Sequence, residues 1–256
     1  MTRTVWGILY AAIMLAALYF GSGVFALLCS CCAAFIMFEC CRMFESKGIV
    51  LPLPVTVAGV LASTLCCGLQ PLFFPVVLLT YFCVLILFSV KGRLQLTDAL
   101  LSLGMTAYLS VGMGCLLALR TLDVGYAALL AFVVVWSTDV GAYLIGSMFG
   151  KHKLLPSVSP QKSWEGALGG LIICVLAVGT YNYFCLGRSL WFVLLAGVMG
   201  SLMGQFGDLL ESFLKRNFGT KDSGRLIPGH GGLFDRLDSM MLAAPFIYAV
   251  FLLFGS

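Results

Sequence analysis

Apolar residues run through this chain in long blocks, separated by short polar or Gly- and Pro-containing breaks. An α-helix rises 1.5 Å per residue, so about 20 apolar residues cross a hydrocarbon core. On that ruler nine blocks stand out, at residues 4–20, 22–41, 55–69, 71–90, 98–119, 124–149, 166–186, 190–210 and 240–254. The third is short and is separated from the fourth only by Gln70-Pro71, so the count is about nine. The pattern predicts an all-α, polytopic membrane bundle. No internal repeat, low-complexity segment or long polar stretch marks off a second unit. The expectation is therefore a single integral domain over 1–256, with N-terminal helices in 1–120 and chemistry-bearing helices and loops in 121–256. The first block, after Arg3, looks superficially like a signal peptide. A second apolar block follows almost at once with no small-residue cleavage site between them, which predicts a retained first helix.

Composition removes the soluble classes. The chain of 256 residues is 61% hydrophobic and only 10% charged, with a mean hydropathy of +1.05; a soluble domain of this length does not normally look like that. The net charge of +4 reads as topology. Arg42 and Lys47 follow the second block, Lys91 and Arg93 the fourth, Lys151, Lys153 and Lys162 the sixth, and Lys215, Arg216, Lys221, Arg225 and Arg236 the eighth. Only Arg120 and Arg188 fall on the other side. The positive-inside rule then places the N-terminus and the even-numbered loops in the cytoplasm. Basic residues so distributed favour anionic headgroups and imply no nucleic acid. The 11 cysteines have apolar neighbours and no spaced His or Cys partners, so they read as small hydrophobes in the bilayer.

Charge is concentrated in one place. Asp208, Glu211, Asp222, Asp235 and Asp238 are five of the 11 acidic residues, and Lys215, Arg216, Lys221, Arg225, His230 and Arg236 are interleaved with them. Asp208, Glu211, Ser212 and Lys215 share one helix face by their i, i+3, i+4, i+7 spacing. Gly219, Gly224, Pro228, Gly229, Gly231 and Gly232 then impose a loop, after which Asp235, Asp238 and Ser239 restart a helical pattern. Two acidic helix ends flank a basic, glycine-rich loop. Carboxylates of this kind hold a hard divalent cation such as magnesium, basic side chains take phosphate oxygens, and glycines let backbone amides approach phosphates. The bland alternative, a solvated loop with ion pairs, fits less well, because the carboxylates lie on opposite ends rather than in one mixed run.

Two further stretches belong to the second half. Asp139, in Trp136-Ser137-Thr138-Asp139, lies in an apolar block, so it needs a partner or a wet cavity; its structural alternative is a hydrogen-bonded residue that only joins helices. Ala142, Gly146 and Gly150 form a small-residue stripe for close helix packing. In Ser159-Pro160-Gln161-Lys162-Ser163-Trp164-Glu165-Gly166, Ser163 is placed to cap the next helix, and Gly166, Gly169 and Gly170 thin its packing face. Lys151 and Lys162 can reach phosphates or merely set topology. In the first half, Glu39 reads as an interfacial carboxylate at a helix end and Asp98 as a helix start.

Ser212-Phe213-Leu214-Lys215-Arg216, Lys221-Asp222-Ser223-Gly224 and Ile227 through Asp238 together resemble the signature of the phosphatidate cytidylyltransferases, also called CDP-diacylglycerol synthases. The stretch around Ser159–Gly166 resembles the same family, with Ser163 where Thr is usual, and the resemblance spans roughly residues 136–239. It implies transfer of a cytidylyl group from CTP to phosphatidic acid, giving CDP-diacylglycerol and pyrophosphate, in the lipid bilayer of a bacterial inner membrane with the site facing the cytoplasm. It implies Asp208 and Asp235 as metal ligands, with Asp238 and Asp139 behind them, and Mg2+, with a monovalent cation beside it. Lys221, Arg225 and Arg236 would meet CTP or pyrophosphate phosphates; Lys215, Arg216 and Lys162 would meet the nucleotide or the lipid headgroup, with Asp222 and His230 nearby. A homodimer is also implied. The rival readings are a CTP-dependent polyprenol or phytol kinase, which would release CDP, and a transporter, which would spread polar groups through the bilayer depth.

Overall fold

In the computed structural model, which describes residues 2–122, 125–224 and 231–254, the chain is a nearly all-α bundle. Its helices are α1 (Thr2–Phe20), α2 (Ser22–Glu45), α3 (Leu53–Leu69), α4 (Phe74–Val90), α5 (Leu96–Leu122), α6 (Tyr126–Phe149), α7 (Trp164–Tyr181), α8 (Leu190–Asn217) and α9 (Phe234–Phe254). A 3-10 turn, Pro71–Phe73, leads into α4, and a π turn, Asn182–Leu186, extends α7. Among the described residues, seven helical segments are long and apolar enough to cross a membrane, while residues 7–20 and α3 are shorter apolar helices. The protein is a multi-pass membrane bundle.

The breaks fall where backbone chemistry requires them. Gly21, at φ 111, separates α1 from α2, a conformation that side chains with a Cβ rarely adopt. Pro54 sits in the first turn of α3 and Pro75 in that of α4, where a missing N–H costs nothing. The π turn closes on Gly187 at φ 62. The apolar blocks of the sequence correspond to these helices one for one, but α8 runs on to Asn217 and α9 begins at Phe234, six residues before the apolar block it contains. The polar ends of both helices are helical, as the i, i+3, i+4 spacing of their acidic residues predicts. An antiparallel hairpin of β1 (Lys153–Leu155) and β2 (Ser159–Ser163) stands between α6 and α7, where the sequence suggested only a loop.

The buried core centres on α2, α5, α6 and α9, with Phe25, Ile36, Leu109, Met113, Phe132 and Ile247 fully enclosed. The α4 segment is little buried, with 11% of its apolar window enclosed against 61% for α2 and α5. Polar pairs join the helices within this apolar setting: the Tyr81 hydroxyl meets Ser102 Oγ at 2.6 Å, and Thr138 Oγ1 donates to Ser201 Oγ at 3.0 Å.

Helix approach is set by glycine. On α7, a Cβ at Gly166 would lie 2.9 Å from the Ala142 carbonyl oxygen, and one at Gly170 would lie 2.7 Å from that of Thr138. The expected small-residue stripe is therefore the seam between α6 and α7, as in other close membrane helix pairs. Ser163 caps α7, its hydroxyl accepting from the Gly166 amide at 3.2 Å. Gly170→Val should force this seam apart and destabilise the detergent-purified protein by about 1–3 kcal/mol, seen as a lower thermal midpoint; an unchanged midpoint would show that the seam tolerates separation.

Candidate active site

At one end of the bundle, α8 and α9 run so close that a Cβ on Gly207 would lie 2.6 Å from the Asp238 carbonyl oxygen. That contact sets Asp208, next along α8, beside Asp238 on α9. Asp208, Glu211 and Asp238 each offer a carboxylate oxygen, and these oxygens lie within 4.8 Å of one another. Glu211 is 1% exposed. It pairs with Lys215, four residues on, with Nζ 2.6 Å from Oε2.

The same ammonium reaches across to α9 and meets Asp235 Oδ1 at 2.5 Å. Lys215 thus joins the two helices by bridging a carboxylate on each. It turns inward, 12% exposed, and is committed to protein carboxylates rather than to the phosphates expected of it. Asp235 also accepts, at Oδ2, from the Gly232 amide at 2.7 Å, the Ser223 amide at 3.1 Å and Ser223 Oγ at 3.0 Å. The aspartate read as a leading metal ligand is therefore the clamp of the loop ends, adjoining the carboxylate triplet through Lys215. Glu211, on the right helix face by its spacing but given no role from the sequence, completes the triplet instead.

A cavity of ≈ 440 Å³ opens beside this cluster, between α6, the hairpin, α7 and α8. Asp208, Asp139, Lys162 and Gln205 supply its polar wall, and Ala142 and Ala167 part of its apolar wall. Lys162, projecting from β2, places Nζ 2.5 Å from Asp208 Oδ2. Asp139 lies within an apolar helix but faces this cavity, which is the wet setting its charge requires. Gln205 is oriented by donating to the Ala167 carbonyl at 3.2 Å and Ser201 Oγ at 3.3 Å. The hairpin is tied down at its base: the Trp164 amide donates to the His152 carbonyl at 2.9 Å, and Glu165 accepts from His152 Nδ1 at 2.6 Å and from the Lys151 and His152 amides at 3.2 Å.

Arg216 is exposed, its Nε donating to the Val158 carbonyl at 3.4 Å and thereby fastening the hairpin to the end of α8. Lys221, Asp222 and Arg236 are exposed. Arg225 and His230 fall outside the described residues. Glu39, read as an interfacial carboxylate, is instead buried at 5% exposure and accepts hydrogen bonds from Ser223, Leu233 and Phe234. Nothing in the local sequence signals this, because the partners are almost two hundred residues away in the chain.

With this geometry in place, comparison with known proteins is decisive at the level of family. The family model described as "Cytidylyltransferase family" matches residues 1–254. The chain belongs to that family. Among curated relatives it is 46% identical over 159 residues to a protein of Staphylococcus haemolyticus named phosphatidate cytidylyltransferase, covering 61% of this chain and 60% of that protein. Similarly named proteins of Staphylococcus epidermidis and Staphylococcus aureus are 43% and 44% identical over 158 residues, with the same coverage. These matches thus span about 60% of the relatives' length.

The donor set fits a divalent cation. Three closely spaced carboxylates from two rigid helices, one of them buried, are hard oxygen ligands of the kind that magnesium selects. Lys215 offsets the repulsion among them, and breaking a buried ion pair on one side typically costs about 3–5 kcal/mol. Lys215→Met should therefore lower the thermal midpoint strongly, and Mn2+ should restore part of the loss by binding the exposed carboxylates. A variant as stable as the original protein would show that the bridge contributes little.

Proposed function

We propose that the chain is a phosphatidate cytidylyltransferase that converts CTP and phosphatidic acid to CDP-diacylglycerol and pyrophosphate. The observation that carries this reading is that Asp238, at the end of the Ser212–Asp238 signature, is brought together with Asp208 and Glu211 of α8 next to one cavity. Family membership and the names of the relatives support it.

In the proposed reaction a nonbridging phosphate oxygen of the lipid attacks the α-phosphorus of CTP, forming the new P–O bond as pyrophosphate leaves. The nucleophile is already an anion, so the site needs no strong general base. Its task is to align two anionic partners and offset their repulsion. Asp208, Glu211 and Asp238 would hold Mg2+, which when bound neutralises phosphate oxygens. Lys162, at the junction of cavity and carboxylates, meets a phosphate there by releasing Asp208. Lys221 and Arg236, exposed on either side of the loop, take the nucleotide or the leaving pyrophosphate, with Arg225 and His230 assigned to the same ligands. The cavity's mixed polar and apolar walls suit a substrate with a charged head and a lipid body. A monovalent cation beside magnesium, a homodimer and a cytoplasm-facing site belong to the same reading, the last resting on the basic even-numbered loops.

Purified protein in lipid–detergent micelles should release pyrophosphate and form CDP-diacylglycerol only when CTP, phosphatidic acid and Mg2+ are all present. Release of CDP instead would replace the reading with a kinase. Asp238→Asn should lower turnover at least about a hundredfold, the upper end of what losing even an outer-shell metal partner costs. Its thermal midpoint should hold or rise, because one like charge leaves a crowded cluster. Near-normal turnover in this variant would refute the assignment of Asp238.

A further inference from the structure

Glu39 lies on α2, in the half of the chain to which the sequence assigns no chemistry, yet it is the buried carboxylate on which both ends of the signature loop converge. Its Oε1 accepts from the Leu233 amide at 2.9 Å. Its Oε2 accepts from the Phe234 amide at 3.0 Å and from Ser223 Oγ at 3.1 Å. Ser223 precedes residues 225–230, and Leu233 and Phe234 follow them. The chain is wrapped tightly around this group: a Cβ on Gly224 would lie 2.5 Å from Oε1, and one on Gly232 would lie 2.5 Å from Oε2. Glycine at both positions leaves room for the carboxylate.

Phe234 is the first residue of α9. A helix leaves its first amides without intrahelical acceptors and carries positive charge there. Glu39 supplies both the acceptors and the negative charge from another helix. The polar chain then continues inward: Ser223 Oγ also contacts Asp235 at 3.0 Å, Asp235 binds Lys215, and Lys215 binds Glu211. The end of α2 is itself fixed at this place, since Ser46 Oγ donates to the Phe218 carbonyl at 3.0 Å and the Phe44 and Phe218 rings lie 4.7 Å apart.

We propose that Glu39 is a positioning residue for the carboxylate site. By fixing the first turn of α9 it sets Asp238 against Asp208 and Glu211 on α8, and so sets the affinity of the site for a divalent cation. The inference rests on the metal reading given above. A cap that only stabilised the fold would change the melting behaviour and leave cation affinity alone.

Glu39→Gln tests this with little change of volume. A glutamine offers one oxygen where two amides need separate acceptors, and its amide group would face an N–H. Mn2+ binding, measured by electron paramagnetic resonance on detergent-purified protein without substrates, should weaken about tenfold or more, as for loss of other partners that orient metal ligands. The Mg2+ concentration for half-maximal pyrophosphate release should rise in parallel. Ser223→Ala removes one of the three donors and keeps both amide bonds, so it should shift both quantities in the same direction by a smaller factor. A lowered thermal midpoint with an unchanged Mn2+ dissociation constant in Glu39→Gln would overturn the inference. If that variant does not fold, unchanged Mn2+ binding in Ser223→Ala does the same. Failure of the unaltered protein to bind Mn2+ would overturn the metal reading and this inference with it, whereas equal binding by the unaltered protein and the variants would remove only the role of Glu39.

Discussion

The bridge made by Lys215 between Glu211 on α8 and Asp235 on α9 is the interaction on which the arrangement depends. Two unit charges 4 Å apart interact by about 4 kcal/mol at an effective dielectric constant of 20. Three carboxylates within 4.8 Å of one another therefore repel strongly unless something opposes them. Lys215 does so from inside the helix pair, and the absent Cβ of Gly207 brings the backbones near enough for one ammonium to reach both sides. The pair formed by Lys162 and Asp208 is different in kind. Its side chains are 28% and 32% exposed, against 12% and 1% for Lys215 and Glu211. One cation holds the cluster together, and the other is available at its mouth.

That difference explains what could be read from the sequence. Hydropathy locates each helix because the bilayer demands about 20 apolar residues regardless of tertiary partners. Hydropathy alone starts the last block at residue 240, whereas α9 begins at Phe234, where the spacing of Asp235, Asp238 and Ser239 restarts a helical pattern. The i, i+3, i+4 spacing puts Asp208, Glu211 and Lys215 on one face, but spacing cannot say whether a lysine on that face turns outward to a ligand or inward to the next helix. Ser163 and the Gly166–Gly170 stripe are legible because capping and close packing are local or seam-like requirements. The hairpin is not, because its short strands carry no apolar alternation and are held by Glu165 and Arg216 at their margins.

Glu39 shows the limit most clearly. Within α2 it is one of two acidic residues near a helix end, Glu39 and Glu45, indistinguishable by sequence from one that faces water. Only the fold brings it to Leu233 and Phe234, across the division between the N-terminal helices of 1–120 and the helices of 121–256. α2 contributes an acceptor for the signature loop, and α5 packs against α9, with Gly112 pressed so close that a Cβ there would lie 2.8 Å from Met241 Cα. The N-terminal helices thus brace the second of the two helices that bear the carboxylates.

The same economy of small residues governs the cavity. Gly146 and Gly166 lie at the seam where α6 meets α7, and both also line the cavity that reaches Asp208. Close packing on one side of these residues and open space on the other have a single cause, the lack of side chains to occupy either. A larger residue would both part the helices and fill the cavity, so fold and ligand space are not independently adjustable here. Asp139 gains from this directly: it sits on the α6 face that the small residues leave uncovered, where an acidic group can be solvated within an otherwise apolar span. The cavity's polar depth therefore follows from how tightly two apolar helices pack.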